Sequence, residues 1–164
     1  MAPAPPTLVA APGLTMQVRP LSGADAAQIA AWRYRGRYST YDVDDPSILA
    51  PDHWAVTDAE ELVGYCCFGA PARVPGAVEQ PGTLDVGYGM APDRMGGGTG
   101  ARFVAAILEF ARGRYEPRRF RLLILDWNVR SRSVAARLGF AVESVLRSDE
   151  GLFVAMVRSA EPRA

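Results

Sequence analysis

Four of the five residues in Gly96-Gly97-Gly98-Thr99-Gly100 are glycine, and the run lies where a strand pattern gives way to an amphipathic helix pattern. No other stretch restricts the possible folds as strongly. Glycine tolerates positive φ and lets backbone approach a ligand with no Cβ in the way. At a helix start the first amides have no partner within the helix and converge on any anion lying there. The helix dipole adds about 0.3–1 kcal/mol, and each hydrogen bond to a charged oxygen about 1.5–3 kcal/mol. A pyrophosphate can thus be held without a lysine, and the sequence contains none, since all 18 of its basic residues are arginine. That excludes the Walker type of phosphate loop, which needs a lysine. Two other readings stay open at this point. One is a flexible surface turn. The other is a dinucleotide fingerprint, since Gly96, Gly98 and Ala101 fit Gly-x-Gly-x-x-Ala and Asp126 offers a ribose-binding acid. That fingerprint normally follows the first strand of a βαβ repeat, whereas about 90 residues precede it here.

Apolar periodicity supplies the frame around this turn. Met16 to Leu21, His53 to Thr57, Glu61 to Phe68, Thr83 to Met90, Arg119 to Asp126, Ala141 to Arg147 and Leu152 to Val157 read as strands. Ser22 is a natural N-cap for a helix carrying Ile29 and Trp32. The Tyr, Arg and Asp-rich stretch 34–45 predicts a loop with a short second helix. Gly98 to Arg112 places Phe103, Val104, Ile107, Leu108 and Ala111 on one helical face, and Ser131 to Leu138 predicts a short helix closed by Gly139. The Pro- and Gly-rich stretch 70–82 is a surface connection. The expected fold class is α/β (α+β), a mixed and mostly antiparallel sheet of about seven strands flanked by helices. Residues 1–14, rich in Ala and Pro, predict a disordered tail without the charged start of a secretory signal, and 15–160 a single domain.

Charge and cysteine content narrow the function classes. Eighteen basic residues balance 18 acidic ones, so no overall field favours nucleic acid or anionic membrane. No apolar run reaches the roughly 18 residues needed to span a bilayer. Cys66 and Cys67 are adjacent and would point to opposite faces of a strand, which reads as two small buried hydrophobes in a cytoplasmic protein. His53 is the only histidine, so no metal cluster is expected.

The chain resembles the GCN5-related N-acetyltransferase (GNAT) family over nearly the whole domain. The residues that carry the likeness are Leu84 to Pro92, the glycine turn with its helix, Asp126-Trp127-Asn128, Ser131 and Leu138-Gly139-Phe140. The family pattern of Arg/Gln-x-x-Gly-x-Gly/Ala at the turn, and Asn followed about eleven residues later by Gly-Phe, falls on this turn and on Asn128 with Gly139-Phe140. The resemblance implies an acyl-CoA N-acyltransferase with acetyl-CoA as co-substrate and an amine acceptor, attacked directly. It implies that Arg94, Met95, Gly96, Gly97, Gly98, Thr99, Gly100 and Ala101 surround the CoA pyrophosphate. Backbone at Tyr88, Gly89 and Met90 would pair with the pantetheine arm, and Asn128 would touch the pantetheine or adenylate portion. A gap between the strands ending at Met90 and Asp126 would admit the thioester. Dimers are common in the family, and exposed terminal strands suit a homodimer.

Two departures bear on the chemistry. The family's Arg/Gln position falls on Met95, and the tyrosine that often protonates the departing thiolate falls on Ala135, so Ser131, Ser133 or water would replace it. A catalytically silent acyl-CoA-binding sensor on the same fold is the competing function. For an active enzyme, a lysine-like amine of pKa ~10.4 costs about 4.6 kcal/mol to deprotonate at pH 7, and an α-amine near 8 about 1.4 kcal/mol. Asp85, on the strand before the turn, is the expected proton acceptor, or else a solvent-facing or capping acid. A main-chain amide around Met90 would stabilise the oxyanion by about 3–4 kcal/mol. Tyr34, Tyr38 and Tyr41 come from the segment that covers the acceptor in this family, and either face the amine or pack the helix pair.

Overall fold

The structure is a computed structural model that describes residues 16–49 and 51–161; the tail expected over 1–14 lies outside them. Seven strands form one sheet: β1 (Met16–Pro20), β2 (His53–Asp58), β3 (Glu61–Phe68), β4 (Thr83–Met90), β5 (Arg119–Leu125), β6 (Ala141–Ser148) and β7 (Gly151–Ser159). Their spatial order is β1-β2-β3-β4-β5-β7-β6, antiparallel throughout except for the β4/β5 pair. The one parallel pair is joined by a crossover that contains the long helix, as a parallel connection requires.

Consecutive β2 residues show that both faces of the sheet are covered. Ala55 belongs to one buried cluster with Ile29 and Leu49, while Val56 belongs to a larger one with Phe103, Ile107 and Phe120. Helix α1 (Gly23–Ala31) supplies the smaller cluster and starts in a capping box. Ser22 Oγ accepts the Asp25 N–H, and the Asp25 carboxylate accepts the Ser22 N–H. Helix α2 (Thr99–Tyr115) supplies the larger cluster through Phe103, Val104, Ile107, Leu108 and Ala111, each buried. Each such large side chain contributes about 1.5–3 kcal/mol by leaving water. Helix α3 (Val129–Arg137) adds Ala135 and is closed by Gly139 at φ +90°. The short second helix expected within 34–45 is a 3-10 helix of six residues, Gly36–Tyr41, none of which is buried.

The strands position the site through a local fault and a divergence. At Val56/Thr57 the β2/β3 register slips, leaving Val63 as the extra residue. The Val63 carbonyl accepts the Ala91 N–H at 2.8 Å and so anchors the end of β4. On the other side of β4, pairing with β5 covers only Thr83–Asp85 against Arg119–Arg121. From there β4 stays with β3 as far as Met90 and β5 stays with β7 as far as Leu125. The two central strands therefore splay into a wedge.

Candidate active site

Hydrogen bonds at both ends of β4 decide which backbone groups face the wedge. Gly69 N–H donates to Asp85 O, and Ala91 N–H to Val63 O. Antiparallel alternation then directs residues 85, 87, 89 and 91 to β3, and Tyr88 and Met90 towards the gap. Beyond Arg121 no strand lies opposite to pair with Tyr88 and Met90. Apart from the Met90 carbonyl, which accepts the Tyr34 hydroxyl, their main-chain groups are open to an extended ligand.

The wedge opens into a cavity of about 540 Å³. One wall is the glycine turn. Gly96, Gly97 and Gly98 have φ of +103°, +63° and +79°, and an added Cβ at any of them would meet no atom within 4 Å. Gly98 is the N-cap of α2 and offers no side-chain cap. Thr99 N–H returns to Gly96 O at 3.2 Å, which leaves the amides of Gly98, Gly100 and Ala101 without an intrahelical partner. Arg137, from the last turn of α3, lines the same cavity. The turn, the open space beside it and the nearby guanidinium fit a pyrophosphate.

Deeper in the wedge lies a polar chain that local sequence did not reveal. Asn128 caps α3 by accepting Ser131 N–H at 3.2 Å, and its Nδ2 donates to the Tyr41 hydroxyl at 2.9 Å. The Ser131 hydroxyl meets the Tyr88 hydroxyl at 3.0 Å. At the opposite mouth, Tyr34 donates to the Met90 carbonyl at 2.5 Å, and its own N–H is held by Asp42 at 2.8 Å. Tyr38 packs edge-on against Trp127 with ring centroids 5.2 Å apart. Burial raises the phenols of Tyr34, Tyr41 and Tyr88 above their ordinary value, and pushes Tyr65 up to about 12. For Tyr41 and Tyr88 the hydrogen bonds from Asn128 and Ser131 offset part of that rise. All four are therefore neutral O–H groups near neutral pH.

Fourteen of the expected site residues meet in this cavity: Tyr34, Tyr38, Tyr41, Tyr88, Gly89, Met90, Met95, Gly96, Gly97, Gly98, Gly100, Ala101, Asn128 and Ser131. Three do not line it. Thr99 is spent on the turn through its N–H to Gly96 O, and Arg94 pairs with Glu61 beside a second groove that opens near Pro92. Asp85 differs most from expectation. It is 1% exposed, accepts from Arg121 at 2.5 and 3.1 Å and from Arg73 at 3.1 Å, and so holds the apex where β4 and β5 part. A carboxylate clasped by two guanidiniums away from the cavity is not available to take an amine's proton. Residues the sequence did not single out are Tyr65, opposite Gly89 in the β3/β4 register, and Arg130 and Arg137 on α3. The Tyr65 ring fills the space that a side chain at Gly89 would take, which only the β3/β4 register reveals.

No curated protein sequence matches the chain. Among solved structures, an acetyltransferase (GNAT family) from Bacillus anthracis superposes with TM-score 0.71 at 13% identity, over 90% of this chain and 96% of that one. The aminoglycoside acetyltransferase AAC(6')-Ib in complex with coenzyme A superposes with TM-score 0.69 at 20% identity, over 88% and 94%. The ribosomal-protein-S5-alanine acetyltransferase from Vibrio fischeri does so with TM-score 0.60 at 17%, over 90% and 94%. These likenesses establish a shared fold. The model of the acetyltransferase (GNAT) domain matches residues 15–141, so most of the chain, including its wedge and glycine turn, belongs to the GNAT acetyltransferase family.

Proposed function

We propose that the protein transfers an acetyl group from acetyl-CoA to a primary amine of a small molecule or peptide by direct attack. The observation that carries this reading is the early end of β4/β5 pairing at Asp85 and Arg121. It leaves a backbone-lined slot with an anion-binding helix start at one side and four tyrosines near the other. In this reading the amides of Gly98, Gly100 and Ala101, with Arg137 beside them, bind the pyrophosphate. The main chain of Tyr88 pairs with the pantetheine amides as an added strand, and Met90 is kept for the thioester.

The chemistry then needs few side chains. The neutral amine nitrogen forms a bond to the thioester carbon as the carbon–sulfur bond breaks, and the sulfur leaves with the bonding pair. The Met90 N–H, pointing into the slot, stabilises the developing oxyanion, a donation worth about 3–4 kcal/mol. Tyr34 fixes that peptide by holding the Met90 carbonyl. Tyr88 O–H, paired with Ser131, passes its proton to the departing sulfur in place of the residue at Ala135, which is fully buried, and regains a proton from water. Asp85 serves as a structural clamp, and water accepts the amine's proton.

The decisive experiment is calorimetric titration with acetyl-CoA and CoA, followed by thiol release across a panel of amines. Saturable binding with turnover supports the transferase. Binding without turnover on any amine leaves the silent sensor, which Ala135 favours. No affinity for any CoA species removes both. The buried free thiols of Cys66 and Cys67 suit a reducing compartment and support cytoplasmic residence. The exposed edge strand β6, with Val142 and Val145 at the surface, supports a homodimer that sedimentation would read. Among the described residues no helix is long and apolar enough to cross a membrane.

A further inference from the structure

The lining of the cavity narrows the acceptor, if the transferase reading holds. Among the described residues that line it there is no Asp, Glu or His. Residues 1–15, 50 and 162–164 contain none either. The buried phenols are raised and stand protonated before the reaction, so none of them serves as a base for the amine. An acceptor arriving as an ammonium must shed its proton to water. At pH 7 about one in 2500 molecules of an amine of pKa ~10.4 is neutral, against about one in ten for a peptide α-amine. The cleft is suited to the second kind.

Charge at the mouth points to what accompanies that amine. The Arg37 guanidinium lies 4.1 Å from the Trp127 ring centroid, and Arg130 lies 5.0 Å from that of Tyr38. Trp127 and Tyr38 are themselves in contact, so the two cations sit on one aromatic pair. Neither guanidinium forms an ion pair with a carboxylate among the described residues; several other arginines share that, but these two are set apart by lying on one aromatic pair beside the cavity. The acids of the acceptor segment are engaged, Asp42 by the Tyr34 N–H, Asp44 by Arg33 and Asp45 by the Ser47 N–H. Stacking fixes a guanidinium plane and leaves its N–H edge free to bind a carboxylate side-on. The same pair repels a polycation.

We propose that the acceptor is the α-amine of a peptide N-terminus carrying a carboxylate among its first residues, which Arg37 and Arg130 bind. Rings connect the two ends of this site: Tyr34 to Tyr41 at 6.4 Å and Tyr41 to Trp127 at 6.0 Å. An extended peptide covers those steps within about five residues. The α-amine nitrogen becomes the amide nitrogen, its proton passes to water, and the sulfur leaves protonated as free thiol.

The test uses the full chain, acetyl-CoA and thiol release on two hexapeptides identical except for Glu or Lys at positions two to four. An Nα-blocked lysine peptide and spermidine complete the panel. The Glu peptide should exceed the Lys peptide in kcat/KM by about 25-fold, and Arg37→Gln and Arg130→Gln should each remove about fivefold of this through KM. Preference for the Lys peptide, the blocked peptide or spermidine overturns the proposal. So does an acidic preference that survives both substitutions, or a protein that binds acetyl-CoA and acetylates neither hexapeptide. Calorimetry without acetyl-CoA binding removes the transferase reading itself, and this proposal with it.

Discussion

Alanine at position 85 separates a structural carboxylate from a catalytic one. Asp85 is 1% and Arg121 5% exposed, and two hydrogen bonds join them at 2.5 and 3.1 Å. Arg73 adds a third at 3.1 Å from a side chain that is 20% exposed. Removing one partner of a buried pair costs about 3–5 kcal/mol, because the charge left behind is neither solvated nor paired. In Asp85→Ala two guanidiniums would face each other across the vacated site, so the middle to upper part of that range applies. For a chain of this length 1 kcal/mol moves Tm by about 2–4 °C, which gives a fall of about 8–20 °C. The double change Asp85→Leu with Arg121→Met removes both charges and should recover most of the loss, since buried pairs and apolar replacements are often equivalent. Urea unfolding followed by tryptophan fluorescence reads the stability, and kcat/KM against pH on the folded fraction reads the chemistry. The expected result is a lower urea midpoint with a pH–rate curve of unchanged shape. An unchanged midpoint with a flattened pH–rate curve would make Asp85 the base and refute the reasoning.

Three further outcomes follow from the same contacts. Hydrogen bonds from Arg19, aided by Ser22 against the opposing effect of burial, hold Asp25 down to about 2 from 3.8. Its stabilisation, about 2 kcal/mol, is complete above the unfolded value and is lost as pH falls from about 4 towards 2; urea midpoints at pH 7 and pH 3 should therefore differ less in Asp25→Asn than in the parent, and an equal difference would contradict the assignment. Gly98→Ala forces a methyl into φ +79° with no atom within 4 Å of it, so it should cost about 1–2 kcal/mol of stability. The same variant should weaken acetyl-CoA by about tenfold or more in calorimetry; unaltered affinity would place the phosphates elsewhere. Tyr88→Phe removes only the hydroxyl paired with Ser131, and should lower kcat about tenfold or more while KM for acetyl-CoA stays put; an unchanged kcat would assign the sulfur's proton to water.

The two halves of this cleft differed in how far sequence alone could describe them, and the reason is physical. The half assigned to the cofactor is built mainly of backbone. A strand and a helix start, contiguous in the chain, present amides whose direction follows from periodicity and from glycine's freedom at positive φ. Strand boundaries at Glu61–Phe68 and Thr83–Met90 were legible to the residue because turn-forming residues flank an apolar run. The helix expected within 34–45 became a 3-10 helix because its side chains find partners in distant segments, such as Tyr41 with Asn128, 87 residues away. The same distance hid the role of Asp85. A lone carboxylate in a strand reads as a solvated acid or a base, and only the parallel register with Arg121, 36 residues on, makes it a clamp. Arg130 and Trp127 were visible as letters, but stacking and the lack of a carboxylate partner are tertiary facts. It follows that the cofactor assignment can be tested at 96–101 alone, whereas the acceptor assignment rests on side chains from two separate segments, 34–41 and 127–130. A single substitution in the glycine turn therefore bears on whether the chain binds a CoA thioester at all. The single substitutions Arg37→Gln and Arg130→Gln test which amine it serves, and the double substitution then measures how strongly two guanidiniums on one aromatic pair act together.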